Sequence, residues 1–520
     1  MRKIYYGLQV LLLVIMSISA AFYFKFTAED AYITYRYAEN WVNTGALVYN
    51  QGEPINAMTS PLHAMISAAL FFVSGNTVLS NKIISIILVL ISAALVWYRY
   101  KEQVHWQLLT FILLVPSCVL LWTFGGLETP ILLFLATLTV ILAIRPDPFR
   151  LSWLYVIFLL AGLAFLTRYD SILFFFPVSV YVALKARSIK HVVIALAVAA
   201  ILPLAWLCTS VFYYGDLLPT SFYVKTPHGN LGNLIFNGRY VASYLLYVGI
   251  IPVVILVLVL LIQKHKMIEV LYRYSKSNWW LLLGLLLEIA YGLTMATTHM
   301  MFSFRFFVPY IPSTAIFLAD LFRRASETTE MDLSTGKPAY LFTGFLLCLM
   351  LFQLYQNVYT YNHSVNGISS VGEYRNLGIR DYVSFIQILK QEGLDIEQDW
   401  ELNHKDGDRR PRIITFAAGM LPYTYRDSYV YEKLVSYRHC YQRNQQALYA
   451  DYIHIVAPRQ GQIDQQLPRL ENTYYLVSSY DMFFDGSMQK FLVYYNPKPE
   501  ENNLTVGIND FCKQAEEVEQ

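Results

Sequence analysis

Thr27-Ala28-Glu29-Asp30-Ala31-Tyr32-Ile33-Thr34-Tyr35-Arg36-Tyr37 follows directly on the first long apolar segment of the chain. Two adjacent carboxylates stand where the chain leaves that segment, and an aromatic run follows them. Tyr and Trp favour a membrane–water interface because one end of each ring system stays wet, so the run predicts a helix lying near the interface. A carboxylate in that place can act as a general base on a hydroxyl, provided its surroundings keep it ionised and aimed. The same letters carry a second reading, a capping box with Thr27 as N-cap and Asp30 three residues on. The company these residues keep along the chain favours chemistry.

Composition sets the class. The 520 residues are 56% hydrophobic and 16% aromatic, with only 15% charged, where an ordinary soluble domain carries roughly a quarter charged residues. Mean hydropathy is +0.39. Repeated apolar runs predict an α-helical polytopic membrane protein. A net charge of +2 gives no pointer to nucleic acid. The five Cys show no C-x-x-C and no His/Cys spacing, so no metal cluster is read. Cys118, Cys208 and Cys348 lie in apolar runs and are expected to be buried thiols. Cys440 and Cys512 lie in the polar tail, where a disulfide can form in an oxidising compartment.

Apolar segments cover 8–26, 79–98, 106–123, 127–144, 152–167, 170–185, 190–213, 240–262, 278–297, 303–322 and 339–358, about eleven transmembrane helices. Met1-Arg2-Lys3 before the first of them has the flanks of a signal peptide, with Ser19-Ala20-Ala21 as a poor cleavage site. The apolar run continues to Phe26, long enough to span, so a retained anchor is expected. Basic residues fall on alternate connections: Arg99/Lys101, Arg145/Arg150, Lys185/Arg187/Lys190, Lys264/Lys266/Arg273/Lys276 and Arg323/Arg324/Lys337. All lie on the cytoplasmic side together with the N-terminus, on condition that Pro61–Val73 does not cross. That piece rises only about 20 Å as a helix, against a hydrocarbon core of about 30 Å. Ser60 as N-cap and Pro61 at the first helical position give it a start signal, and it reads as a re-entrant or interfacial helix.

The external side then gathers a mixed set of charges. Glu29 and Asp30 lie in the first external loop (27–78), and Lys82 lies at the outer end of the second span. Glu128 sits in Gly125-Gly126-Leu127-Glu128-Thr129-Pro130. Arg168-Tyr169-Asp170 make a tight turn, Lys225 belongs to the 214–239 loop, and His299 and Arg305 flank the last external hairpin. Two carboxylates fall within apolar runs, Glu288 mid-span and Asp320 near an inner end. Such residues are functional candidates by default, and a neutral, hydrogen-bonded role for Glu288 stays open beside that.

From about residue 361 the chain turns polar, so 1–360 is read as a transmembrane domain and 361–520 as a soluble extracytoplasmic α/β domain. Glu373–Glu392 predicts an amphipathic helix with Leu377, Tyr382, Phe385, Ile386 and Leu389 on its apolar side. Ile413–Ala417, Ile453–Val456, Tyr474–Val477 and Phe491–Tyr495 predict short strands. Asn362-His363-Ser364 and Asn503-Leu504-Thr505 match glycosylation acceptors.

In their order these pieces resemble the GT-C class of membrane glycosyltransferases, which use lipid-phosphate-linked sugars. The nearest branch is the bacterial one with mycobacterial arabinofuranosyltransferases of the AftB type. The resemblance rests on Glu29–Asn40, Gly45-Ala46-Leu47-Val48-Tyr49-Asn50, Thr59-Ser60-Pro61-Leu62, Gly126-Leu127-Glu128-Thr129-Pro130, Leu166-Thr167-Arg168, Tyr214-Gly215-Asp216-Leu217-Leu218-Pro219 and Arg305-Phe306-Phe307-Val308-Pro309. It implies Asp30 as catalytic base and Glu128 as a second acidic group. It also implies a C-terminal domain facing the periplasm or cell exterior of a bacterial inner membrane. Two departures stand out. Tyr169 occupies a position where the family usually has Pro, and Tyr431 and Leu434 replace an expected Asp and Gly after Ala418-Gly419-Met420-Leu421-Pro422-Tyr423.

Inverting transfer from a polyprenyl-phosphate sugar to a glycan or lipid acceptor suits these residue types. Asp30, with Glu29 beside it, would take the acceptor's proton; the phosphate leaves without needing an acid. Arg168, Lys225, Arg305 and Lys82 are the cations that could bind the donor phosphate, with Asp170, His299 and Tyr35 in support. No cofactor is required. Glu29, Asp30 and Glu128 could hold Mg²⁺ or Mn²⁺ through oxygen ligands, which a site made of Arg and Lys would make unnecessary. Each residue also has a plainer role. Arg168 and Asp170 could neutralise one another, Glu128 could answer the positive end of the following helix, and Lys82 and Lys225 could be snorkelling anchors. The competing functions are a flippase of lipid-linked sugars, towards which Glu288 leans, and a membrane sensor or scaffold.

Overall fold

A computed structural model describes residues 2–114, 116–144, 150–225, 231–248, 250–263, 267–294, 302–328, 336–362, 378–404, 409–415, 417–432, 450–457, 475–484 and 487–497. His299, Cys440, Cys512, Leu377, Leu434 and Asn503 lie outside these residues, and Lys225 is described only in its backbone. Two compact units emerge by internal contacts. One comprises Met1–Lys25, Lys82–Trp206 and Gly229–Gly372; the other comprises Phe26–Asn81, Leu207–His228 and Glu373–Gln520. Composition changes near residue 361, whereas compactness groups the stretch after the first apolar segment with the polar tail.

The first unit is built of apolar helices. Among the described residues five helices are long and apolar enough to cross a membrane: Arg2–Tyr23, Thr77–Arg99, Tyr169–Ala186, Ile189–Tyr214 and Gly336–Asn362. Two bent pairs, Val104–Leu114 with Ser117–Phe124 and Asn237–Tyr247 with Ile250–Leu258, raise the number to seven if each pair is one span. Thr129–Ala143, Leu151–Thr167 and Trp279–Thr294 are apolar but shorter. The segment 303–322 departs most from expectation. A short 3₁₀ turn at Val308–Tyr310 contains Pro309, and the helix proper runs Ile311–Thr328. It carries Asp320, Arg323 and Arg324, and so is amphipathic rather than uniformly apolar. Asp320 finds the partners its position demands, since Arg99 Nη2 lies 2.6 Å away and the Tyr100 hydroxyl donates to it at 3.0 Å. Pro177 sits inside the Tyr169–Ala186 helix, as membrane helices tolerate where neighbours re-satisfy the backbone. Cys118 is buried as expected, but Cys208 and Cys348 are exposed on their helices. In a membrane span an apolar residue is as well placed against lipid as inside, so an apolar run does not fix burial.

In the second unit the aromatic run forms the Glu29–Thr44 helix, ended by Gly45 in a left-handed conformation (φ 76°) that glycine adopts without steric cost. Ala28 is the N-cap and no side chain caps the helix, which removes the capping-box reading of Thr27. Pro61–Ser74 is a helix of 14 residues with Pro in its first turn, starting where the sequence predicts, and it packs against Glu29–Thr44. Gly45–Asn50 and Tyr214–Pro219 meet here: the Tyr214 hydroxyl donates to the Leu47 carbonyl at 2.7 Å.

Among the described residues the polar tail supplies a long helix, Ile379–Asn403, a short one, Met420–Thr424, and a five-stranded sheet. Its strands are β1 (Arg412–Ile414), β2 (Tyr429–Tyr431), β3 (Tyr452–Ala457), β4 (Tyr475–Phe484) and β5 (Ser487–Tyr495), in the order β2-β1-β3-β5-β4. The β1 pairings are parallel, and β3-β5-β4 is antiparallel. Tyr382, Phe385, Ile386 and Leu389 are buried as expected. The helix continues past Glu392, adding Ile396 and Trp400 to the buried face. Packing of this face against the sheet (Phe385 lies 5.9 Å from Phe491 between ring centroids) supplies the apolar burial that holds the tail together.

Candidate functional site

Charged residues singled out in the sequence divide between the two units, and each group is described by itself. In the second unit, Glu29 and Asp30 form the first turn of the Glu29–Thr44 helix. Their surroundings differ. Glu29 is buried, and its Oε1 accepts hydrogen bonds from the backbone N–H of Gly419, at short range, and of Met420 at 3.3 Å. Its own backbone N–H donates to the Tyr382 hydroxyl at 2.9 Å. Burial, with the neighbouring Asp30 charge second, pushes the Glu29 carboxyl up to about 8. Asp30, one position on, is partly exposed. Successive helical residues stand about 100° apart around the axis, so Asp30 points off the face that Glu29 commits.

That committed face runs on through Tyr32, Arg36 and Glu39. Arg36, which the sequence reading passed over, is 2% exposed. Its Nε donates to the Tyr49 carbonyl at 3.0 Å, Nη2 to the Ser428 carbonyl at 2.6 Å, and Nη1 to the Pro422 carbonyl at short range. A planar guanidinium presents donors in a rigid fork, which suits three converging carbonyls. Glu39 accepts from Thr77 Oγ1 and from the Tyr423 hydroxyl, each at 2.6 Å, and pairs with Arg426 at 2.5 Å. Tyr32 and Tyr423 have ring centroids 5.2 Å apart. Tyr35 is fully buried, among His63, Tyr32 and Tyr423, so it supports the packing rather than reaching a substrate. The one signal for Arg36 in the sequence is a lone cation in an aromatic helix, which cannot survive burial without acceptors.

In the first unit, Glu128, Arg168, Asp170 and Arg305 come together. The Arg305 Nη2 lies 2.9 and 3.2 Å from the two Glu128 carboxylate oxygens. Arg168 grips Asp170 through two bonds, Nε–Oδ1 at 3.1 Å and Nη2–Oδ2 at 2.9 Å, and its Nη1 stands 3.9 Å from Glu128. Their side chains are nearly inaccessible. Arg168 lies over the Phe306 ring and Arg305 over Trp122. Glu128 holds the N-cap position of Thr129–Ala143 yet makes no side-chain cap bond; its carboxylate goes to the guanidinium groups instead of the helix amides. The mutual neutralisation of Arg168 and Asp170 is present, and it belongs to a larger cluster of two cations and two carboxylates. Glu288, buried in Trp279–Thr294, lies beside Tyr310 and within electrostatic reach of Asp170 and Arg168. Lys82 is buried rather than snorkelling: its Nζ donates at 2.6 Å to the Phe24 carbonyl just beyond Arg2–Tyr23 and lies over the Phe24 ring, where a cation complements the helix dipole.

Among the described residues no group of three or more His, Cys, Asp or Glu is arranged to hold a metal ion. For Mg²⁺ or Mn²⁺ to bind through the residues named above, Glu29 would have to exchange backbone amides, and Glu128 guanidinium groups, for the metal.

Residues 58–209 match the family described as dolichyl-phosphate-mannose-protein mannosyltransferase. No curated protein matches the chain in sequence. Among solved structures the chain is similar to ArnT from Cupriavidus metallidurans bound to undecaprenyl phosphate. The TM-score is 0.53 at 10% identity, over 94% of this chain and 97% of that one. The apo form gives the same TM-score and identity, with 98% of that chain covered. An oligosaccharyltransferase from Archaeoglobus fulgidus, tethered with an acceptor peptide, gives a TM-score of 0.45 at 11% identity, over 92% of this chain and 74% of that one. At these identities the likeness to ArnT is one of fold. Together with the family match over residues 58–209 it supports the GT-C class expected from the sequence, and it does not reach the arabinofuranosyltransferase branch.

Proposed function

We propose that the chain is a multi-pass membrane glycosyltransferase that moves a sugar, with inversion, from a polyprenyl-phosphate donor to a cell-envelope glycan or lipid acceptor on the extracytoplasmic side. The observation that carries this reading is the whole-chain fold likeness to a protein crystallised with undecaprenyl phosphate. The match of residues 58–209 to the dolichyl-phosphate-mannose-protein mannosyltransferase family supports it from the sequence side. In this reading about eleven segments span the membrane, the N-terminus is cytoplasmic, and the polar tail faces outward.

Asp30 is the proposed base. It is the partly exposed member of the carboxylate pair, and it sits in the first turn of the Glu29–Thr44 helix, off the face that Glu29 commits to backbone. The acceptor hydroxyl attacks the anomeric carbon as its proton passes to Asp30, and the C–O bond to phosphate breaks on the opposite face. Arg168 and Arg305 are the proposed phosphate-binding groups, held rigid by Asp170 and Glu128. Cations preorganised in that way stabilise developing phosphate charge without reorganising. Lys82 and Lys225 complete the proposed cationic set. Arabinofuranose is the sugar the sequence resemblance suggests.

The test is a purified, nanodisc-embedded protein offered polyprenyl-phosphate arabinofuranose and, separately, polyprenyl-phosphate hexoses, with release of polyprenyl phosphate as the readout. Surface glycans of a deletion strain are compared in parallel. Release with one donor and a missing glycan sugar are expected. No release with any donor together with unaltered glycans would overturn the reading.

A further inference from the structure

We infer that Glu29 is a positioning residue of this reaction: it docks the Ala418–Thr424 segment onto the first helical turn and thereby fixes the aim of Asp30 beside it. The inference rests on the reading of Asp30 as base.

Four observations carry it. First, both amide bonds end on the same atom, Glu29 Oε1, so the carboxyl acts as an acceptor for backbone across 390 residues of sequence. Second, the approach leaves no room for a side chain. A Cβ on Gly419 would collide with the backbone carbonyl and the carboxyl group of Glu29. Third, the same segment is fastened along the same helix face further on, through Pro422 and Ser428 to Arg36 and through Tyr423 and Arg426 to Glu39. From outside the helix, the Tyr49 hydroxyl is at short range to the Ala418 carbonyl. Positions 29, 32, 36 and 39 form one stripe, and Asp30 lies off it. Fourth, the backbone N–H of Glu29 is taken by the Tyr382 hydroxyl, so the first turn is held from two sides. A carboxyl consumed in this way has no lone pair spare for substrate chemistry at Oε1, while its neighbour inherits a fixed backbone. Misplacing a catalytic group by about 1 Å can cost on the order of 10²-fold in rate, which is the size of effect such docking controls.

The experiment uses full-length protein in nanodiscs with three variants: Glu29→Gln, which keeps an acceptor oxygen and removes the ionisable group; Glu29→Ala, which removes both; and Gly419→Ala, which pushes the segment away from the opposite side. Readouts are amide hydrogen exchange across 418–424, binding of undecaprenyl phosphate, and kcat and KM for transfer. Glu29→Gln is expected to keep slow exchange and most of kcat. Glu29→Ala and Gly419→Ala are expected to speed exchange and lower kcat about 10²-fold, with undecaprenyl-phosphate binding and donor KM unchanged. A Gln variant with slow exchange but a kcat as low as that of Ala would make the ionisable group itself the working feature and overturn the inference. So would an Ala variant that exchanges fast at full kcat. Should Glu29→Ala fail to fold, the Gln and Gly419→Ala results decide alone. Full activity in Asp30→Asn would sink the base reading and this inference with it, whereas the exchange data stand apart from activity.

Discussion

Along the Glu29–Thr44 helix, buried ionisable groups are answered largely by backbone: Glu29 by two amides, Arg36 by three carbonyls. Around Glu128, buried charge is answered by opposite charge: Arg305 and Arg168 by Glu128 and Asp170. The two arrangements fail differently. Removing a side chain from the first leaves backbone groups that cannot be mutated away, so no second substitution repairs the loss. Removing one from the second leaves a lone buried charge, which a second, neutralising substitution can cure. The first arrangement therefore fixes a chain path, and the second fixes the orientation of two cations.

The contrast can be broken in four places. The largest effect is expected from pH. The Glu29 carboxyl titrates near its ordinary 4.5 when unfolded and at about 8 when folded. The folded state thus holds the extra proton between those values. Its contribution to stability is full below pH 4.5 and is lost as pH rises through about 8, a span worth a few kcal/mol. Unfolding midpoints of the solubilised protein should fall over that window, and Glu29→Gln should flatten the slope; a slope unchanged by the substitution contradicts the assignment. Next comes Arg36→Ala, expected to cost about 4 kcal/mol because three buried carbonyls lose a charged donor. Arg36→Lys should rescue only part of it, since an ammonium cannot match the fork. Full rescue by Lys would show that charge, not geometry, is what the carbonyls need.

Arg305→Ala follows, at about 3 kcal/mol from the stranded Glu128 charge. Arg305→Gln combined with Glu128→Gln should recover most of that stability while weakening undecaprenyl-phosphate binding. Recovery of binding as well would remove Arg305 from the phosphate site. Smallest is Arg99→Ala, about 2 kcal/mol: Asp320 is buried and loses its nearest cation, but it keeps the Tyr100 hydroxyl at 3.0 Å and Arg323 at 3.8 Å. An unchanged midpoint in thermal unfolding would contradict this.

Local signals were legible and long-range ones were not. Pro61 marked a helix start, the Arg168–Asp170 turn held its ion pair within three residues, and the buried face of the tail helix followed from a 3.6-residue period. The docking of Gly419 on Glu29 has no local signature, because its partners stand 390 residues apart and one of them is a backbone amide. Strand β2 spans three residues, too few for an alternation to register, and it pairs in parallel with β1 across an intervening helix. Cys208 and Cys348 misled for another reason. An apolar run in a membrane span has two apolar environments to choose from, and composition does not distinguish lipid from protein. The adjacent carboxylates were found as a pair, but which of them is committed to backbone depends on a 100° step around a helix whose packing partner lies in the tail.

The most direct test of the central claim is the transfer rate of Asp30→Asn in nanodiscs, measured beside its binding of undecaprenyl phosphate. Loss of a general base should lower kcat by about 10²–10⁴-fold with binding and unfolding midpoint unchanged. Wild-type turnover in that variant would contradict the account.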